Sequence, residues 1–61
     1  MAYKELSRFI SDDGKREASV YKLINEVGYR VSVKNESGTS FASEFDSLVK
    51  AEEFAEDWVL L

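Results

Sequence analysis

The sequence predicts an α+β fold in which a three- to four-stranded antiparallel β-meander carries one C-terminal α-helix packed across one face. A loop of the form Asn-Glu-x-Gly occurs twice, at residues 25–28 and 35–38, and β-patterned segments flank both loops. Glycine adopts the positive φ angles of tight turns and asparagine tolerates left-handed backbone, so such loops join the strands of hairpins. After residue 46 the apolar spacing becomes helical, which predicts that the sheet ends there.

Strands are predicted at about residues 4–10, 18–25, 28–35 and 39–45. Residues 29–34 alternate most clearly, with Tyr29, Val31 and Val33 on one face, as half-buried antiparallel strands do. Residues 4–10 fit either a strand or a helix, and the turn sequence Asp-Asp-Gly-Lys at 12–15 favours the strand. Residues 18–25 carry apolar side chains on both faces, so a register slip of one residue would exchange the buried and exposed sides.

A helix is predicted at about residues 47–60, with Asp46 or Ser47 as its N-cap. Six apolar residues fall on one side of it at helical spacing: Leu48, Ala51, Phe54, Ala55, Trp58 and Val59. We expect this stripe to pack on one face of the sheet, against Tyr21, Leu23, Tyr29, Val31, Val33, Phe41 and Phe45.

Composition limits the range of functions. The 61 residues predict a single domain spanning 1–61, and the lack of Cys and His excludes disulfides, thiolate metal sites and histidine catalysis. Residues 44–61 hold six acidic side chains against Lys50 alone, so the acidity of the chain is concentrated there. The N-terminus has no apolar signal-like stretch, and no segment is long enough to span a membrane. These observations predict a soluble cytoplasmic protein with no membrane partner.

One helix covers one sheet face, and the other face is the candidate site. On the expected register that face shows Arg8, Lys22, Arg30 and Lys34, interspersed with Val20, Ile24, Ser32 and Ala42. It is either a solvated face or an interaction surface. The predicted partner-binding residues are Val20, Lys22, Ile24, Arg30, Ser32 and Lys34.

Catalysis is not predicted. Eight serines have no histidine base, Asp12-Asp13-Gly14 lacks the ligand pattern of a calcium loop, and no phosphate-binding loop is present. We therefore expect neither an enzyme nor a metal or cofactor site.

Most of the chain, about residues 18–60, resembles a known group of proteins in which a short β-meander is likewise followed by an acidic amphipathic helix. Residues 45–48, Phe-Asp-Ser-Leu, and residues 51–59, Ala-Glu-Glu-Phe-Ala-Glu-Asp-Trp-Val, are similar to the end of small uncharacterised proteins of T4-like bacteriophages of marine cyanobacteria. This resemblance implies the cytoplasm of an infected host and a protein that modulates a host target without catalysis. The three strands and helix are also similar to DNA-binding domains of the integrase-arm type, which would place Lys22, Arg30 and Lys34 on a DNA-binding sheet.

The leading hypothesis is a small non-enzymatic interaction protein that binds a protein partner or forms a homodimer through the uncovered sheet face. Edge-strand pairing is a second route to a dimer. The alternative is weak nucleic-acid binding by the same face, although the net charge of -4 opposes it. A third hypothesis is mimicry of nucleic-acid charge by Glu52, Glu53, Glu56 and Asp57 on the helix.

Overall fold

A computed structural model describes residues 3–60 and confirms the predicted fold class. One antiparallel sheet contains β1 (Tyr3–Ile10), β2 (Glu17–Leu23), β3 (Tyr29–Lys34) and β4 (Ser40–Phe45), in that spatial order. The helix α1 (Leu48–Leu60) follows and packs against the sheet. The first segment is therefore a strand, and it is an edge strand with a β-bulge between Glu5 and Ser7.

The β1–β2 turn is stabilised by its own side chains. Ser11 N donates to Arg16 O at 3.0 Å, and Gly14, at a φ of 72°, donates to Ser11 O at 2.9 Å. The Asp13 carboxylate accepts from Ser11 Oγ at 2.6 Å and from Lys15 N at 3.0 Å. These hydrogen bonds lower the pKa of Asp13, the one from Ser11 having the larger effect. The sequence Ser-Asp-Asp-Gly-Lys thus forms the predicted turn because Ser11 and Asp13 hydrogen-bond to groups within the turn and beside it.

The two Asn-Glu-x-Gly loops differ in structure despite their similar sequences. Leu23 N donates to Gly28 O, which leaves residues 24–27 as a four-residue loop, and Asn25 takes a φ of 68° there. Asn35 N donates to Thr39 O, which leaves only residues 36–38. In this shorter loop the Asn35 side chain accepts hydrogen bonds from the backbone N–H groups of Ser37 and Thr39.

This difference in loop length makes the expected register of β2 wrong. Directly opposed residues share a sheet face, and a loop with an even number of residues exchanges odd and even positions between its strands. Val20 therefore lies opposite Val31, while Tyr21 lies opposite Arg30 on the other face. Neither Tyr21 nor Leu23 packs under the helix as expected. The three-residue loop between β3 and β4 keeps the odd-numbered residues of both strands on the same face. Phe41 and Phe45 therefore face the helix together with Val31, as predicted.

The core lies between the helix and the two central strands. Its buried members are Ala18, Val20, Val31, Val33, Ala51, Ala55 and Val59. The two helix alanines let the helix axis approach the sheet, and the larger Phe54 and Trp58 pack at the side against Phe45 and Phe41. The helix begins with a side-chain cap, because Ser47 Oγ accepts from Lys50 N at 3.4 Å. The apolar stripe predicted for the helix is therefore confirmed.

Candidate interaction surface

The face of the sheet that the helix does not cover, here called the open face, has contributions from all four strands. The cross-strand pairs Arg8–Ser19, Ser19–Ser32 and Ser32–Ala42 define its centre, since opposed residues share a face. Around this line lie longer side chains: Tyr3, Glu5, Ile10, Glu17, Tyr21, Leu23, Arg30, Lys34 and Glu44. The open face therefore has the small residues Ser19, Ser32 and Ala42 in the middle and longer aliphatic, aromatic and charged residues around them.

Three of the six predicted partner-binding residues are not on this face. Val20 is 0% exposed and belongs to the core, so its predicted placement is wrong. Lys22 lies opposite Tyr29 on the helix side, where its Nζ donates to Leu23 O at 2.6 Å and to Glu26 O at 2.8 Å. Ile24 lies in the β2–β3 loop, beyond the end of β2. The four-residue loop accounts for the first two corrections because it inverts the register of β2.

The other three predicted residues, Arg30, Ser32 and Lys34, do lie on the open face, on β3. Their partner-binding role stays a prediction. The structure brings them together with two tyrosines: Tyr21, which was expected under the helix, and Tyr3, which precedes the predicted first strand.

Tyr3, Tyr21, Arg30 and Glu44 form a tyrosine–arginine cluster at one end of the open face. The rings of Tyr3 and Tyr21 meet edge to face with centroids 5.0 Å apart. The Arg30 guanidinium lies 5.6 Å from the centroid of the Tyr3 ring and donates to Glu44 Oε2 at 2.7 Å. This hydrogen bond raises the pKa of Arg30. The side chain of Arg30 is thereby held in one orientation by an ion pair and an aromatic ring.

Charges on the open face balance, contrary to the predicted basic face. The three cations Arg8, Arg30 and Lys34 share it with three carboxylates, those of Glu5, Glu17 and Glu44. Arg8 pairs with Glu17 at 3.2 Å, and Lys34 lies opposite Glu17 on the neighbouring strand. A surface with equal numbers of both signs has little attraction for a phosphate backbone, because that attraction depends on uncompensated cations.

The charged face of the helix is different. Glu53, Glu56 and Asp57 are exposed, and among residues 3–60 none of them is in a salt bridge. Glu52 instead turns toward β1, where its carboxylate accepts from Ser7 Oγ at 3.0 Å. The exposed acidic surface of the helix therefore consists of three of the four carboxylates that the sequence analysis assigned to it.

A shallow cavity of ≈ 250 Å³ lies between the β1–β2 turn and the end of the helix. Two of its charged groups already have partners: Asp13 accepts from Ser11 and Lys15, and Arg16 donates to Trp58 O at 3.3 Å. Within residues 3–60 no three acidic side chains are grouped closely enough to hold a metal ion. Nor does that part of the chain contain a helix with the length and apolarity needed to cross a membrane.

Comparisons with protein-family models, with curated proteins and with solved structures found no match to this chain. The chemistry of the open face is therefore the basis for a functional assignment.

Proposed function

We propose that this protein is a small, non-enzymatic interaction module that binds a folded protein partner through the open face of its sheet. The observation that carries the proposal is the tyrosine–arginine cluster. Tyrosine and arginine are enriched among the residues that contribute most to protein–protein binding, especially where their side chains are already ordered. Tyr3 and Arg30 are ordered in this way by ring packing and by the Glu44 ion pair.

The size of the surface also supports the proposal. The molecule measures 35 × 22 × 15 Å along its principal axes. The area of its broad side is similar to the roughly 800 Å² of surface that each partner buries in an interface of standard size. The matching partner surface has charges of both signs at its rim, because the charges around the centre of the open face balance. On the phage resemblance of residues 18–60, we propose a host protein as this partner and the host cytoplasm as the setting.

Nucleic-acid binding by the same face is the less favoured alternative. It required a basic surface, and the placement of Lys22 on the helix side together with three carboxylates on the open face weakens it. Charge mimicry by the helix is still supported by Glu53, Glu56 and Asp57, which are in no salt bridge among residues 3–60. The arrangement of these three carboxylates is, however, the same as on an ordinary solvated helix face.

The test compares the tagged wild-type protein with three variants in an affinity pull-down from host lysate, with and without nuclease. Ser32→Arg places a long side chain at the centre of the open face, and Arg30→Ala removes the ordered guanidinium. Glu53→Arg, on the opposite side of the molecule, is the matched control. We expect a nuclease-resistant partner that both open-face variants lose, with binding weakened more than about tenfold, and that the helix variant retains.

Capture that survives both open-face variants would contradict the proposed site. Capture that disappears with nuclease would favour the nucleic-acid alternative, and capture lost only in Glu53→Arg would favour charge mimicry. Circular dichroism and a thermal melt of each variant show that the fold is intact before any loss of binding is interpreted.

A further inference from the structure

The two edges of the sheet differ in how they are protected against pairing with another strand. The β1 edge carries the bulge between Glu5 and Ser7 and the charged residues Lys4, Glu5 and Arg8, which are the usual devices that prevent edge pairing. The β4 edge has none of these devices except Glu44. Its six residues, Ser40–Phe45, pair with β3 in unbroken register and include no proline and no basic side chain.

The outer edge of β4 presents free backbone groups. Thr39 O accepts from Asn35 N at 3.1 Å, so the alternation of an antiparallel ladder directs the backbone groups of Phe41, Ser43 and Phe45 toward β3. Those of Ser40, Ala42 and Glu44 consequently point away from the sheet. Within residues 3–60, β4 is the last strand, and no backbone hydrogen bond outside the strand ladders involves these three residues.

Aromatic side chains run along the same edge on the helix side, and we call them the aromatic seam. The seam consists of two pairs, Phe41 with Trp58 at 5.3 Å and Phe45 with Phe54 at 5.2 Å between ring centroids. Phe41 remains 45% exposed even with Trp58 against it. An added strand beside β4 would cover this exposed ring while it satisfied the backbone groups of the edge.

We propose that β4 is a strand-addition site whose occupant is β4 of a second copy of this chain. A closed twofold dimer requires the two strands to run antiparallel, with the axis perpendicular to the sheet. The register follows from the side chains. With Ser43 at the axis, Phe41 lies opposite Phe45 of the second copy in the closer, non-hydrogen-bonded position, where aromatic pairs stabilise a sheet.

Neighbouring registers are less favourable. Placing Ala42 at the axis sets Phe41 opposite a serine, and placing Glu44 at the axis sets two carboxylates directly opposite each other, which is destabilising. In the Ser43 register Glu44 lies opposite Ala42 of the second copy, and the free backbone groups of both residues pair.

The dimer would form one eight-stranded sheet with both helices on the same side. Both open faces then lie side by side, each with its own tyrosine–arginine cluster, so a partner with two epitopes could bind both copies at once. The pairing itself uses only the β4 edge and does not depend on the function proposed for the open face.

The test is the oligomeric state of the purified full chain by sedimentation velocity from about 10 µM to about 1 mM, a range that detects weak association. We expect a concentration-dependent dimer and, in amide NMR spectra, concentration-dependent shifts confined to β4. Ala42→Pro removes an outward N–H without affecting the β3–β4 ladder, as prolines on edge strands do. This variant should keep its fold and stay monomeric, while the open-face variant Ser32→Arg should still form the dimer.

A disulfide variant tests the register even where the proline variant does not fold. In the proposed pairing the two Ser43 Cα atoms lie about 4.5 Å apart, within the range that a disulfide spans. Ser43→Cys should therefore crosslink rapidly under mild oxidation, whereas Ser40→Cys, on the same strand and more exposed, should not. A strictly monomeric wild-type protein, a dimer that survives Ala42→Pro, or equal crosslinking of the two cysteine variants would overturn the proposal. None of these results would bear on partner binding by the open face, which the Ser32→Arg pull-down tests separately.

Discussion

The register of β2 makes Val20 a core residue, and truncating this side chain tests that placement. Val20 is 0% exposed and lies opposite Val31 at the centre of the sheet under the helix. Val20→Ala removes two methyl groups, a transfer cost of about 1.6 kcal/mol at about 0.8 kcal/mol each. The cavity left behind raises the expected loss to about 2–3 kcal/mol.

That loss is large for a chain of this size. At about 0.05–0.15 kcal/mol per residue, a chain of 61 residues has a total stability of about 3–9 kcal/mol. The expected fall in melting temperature is at least about 8 °C. Urea unfolding followed by the fluorescence of Trp58, the single tryptophan, measures the loss of free energy of unfolding, and thermal unfolding followed by circular dichroism measures the fall in melting temperature.

The matched control is Val27→Ala, the same chemical change at a residue that is 92% exposed in the β2–β3 loop. Its expected cost is below about 0.5 kcal/mol. In the opposite register, with Tyr21 and Leu23 under the helix, Val20 would face solvent and its truncation would cost little. A Val20→Ala loss below about 1 kcal/mol would therefore refute the register described here.

Three further predictions concern turns and caps. Gly28→Ala should destabilise the protein more than Gly38→Ala, because both glycines have positive φ but only a Cβ at Gly28 would meet a backbone carbonyl oxygen, at 3.2 Å; paired urea titrations compare them. The lowered pKa of Asp13 means that its carboxylate stabilises the fold at neutral pH and that this contribution disappears as the pH falls through the folded-state pKa. Asp13→Asn should therefore flatten the acid side of the stability–pH curve, with Asp12→Asn as the control. Ser47→Ala removes the helix cap and should cost about 0.5–1 kcal/mol, measured by thermal unfolding.

The local parts of the fold could be predicted from the sequence because their causes are local. The alternation of apolar and polar residues at 29–34 matches the two-residue repeat of a strand, and the apolar stripe of the last segment matches the repeat of a helix. Both patterns can be recognised within a few neighbouring residues. The turn at residues 12–15 closes with hydrogen bonds among its own residues and their immediate neighbours. Each of these elements appears where the sequence predicted it.

The candidate site was only partly predictable. Arg30, Ser32 and Lys34 were placed correctly because β3 has one polar face, whereas β2 carries apolar residues on both faces and its side chains can be assigned either way. Tyr21 was missed for this reason, and Tyr3 because the first strand was predicted to begin at residue 4. The contact between the two rings has no signal in the spacing of the sequence.

The sequence by itself determined the order of the elements, the positions of the turns and the helix stripe, because propensity, periodicity and capping act over a few residues. Only the tertiary structure decided which face of β2 is buried. That choice depends on whether a loop closes over three residues or four, and the two Asn-Glu-x-Gly loops differ in this despite their shared pattern. A change of one residue in a loop reverses every side chain of the adjoining strand, and packing of Val20 and Val31 under the helix selects between the two arrangements.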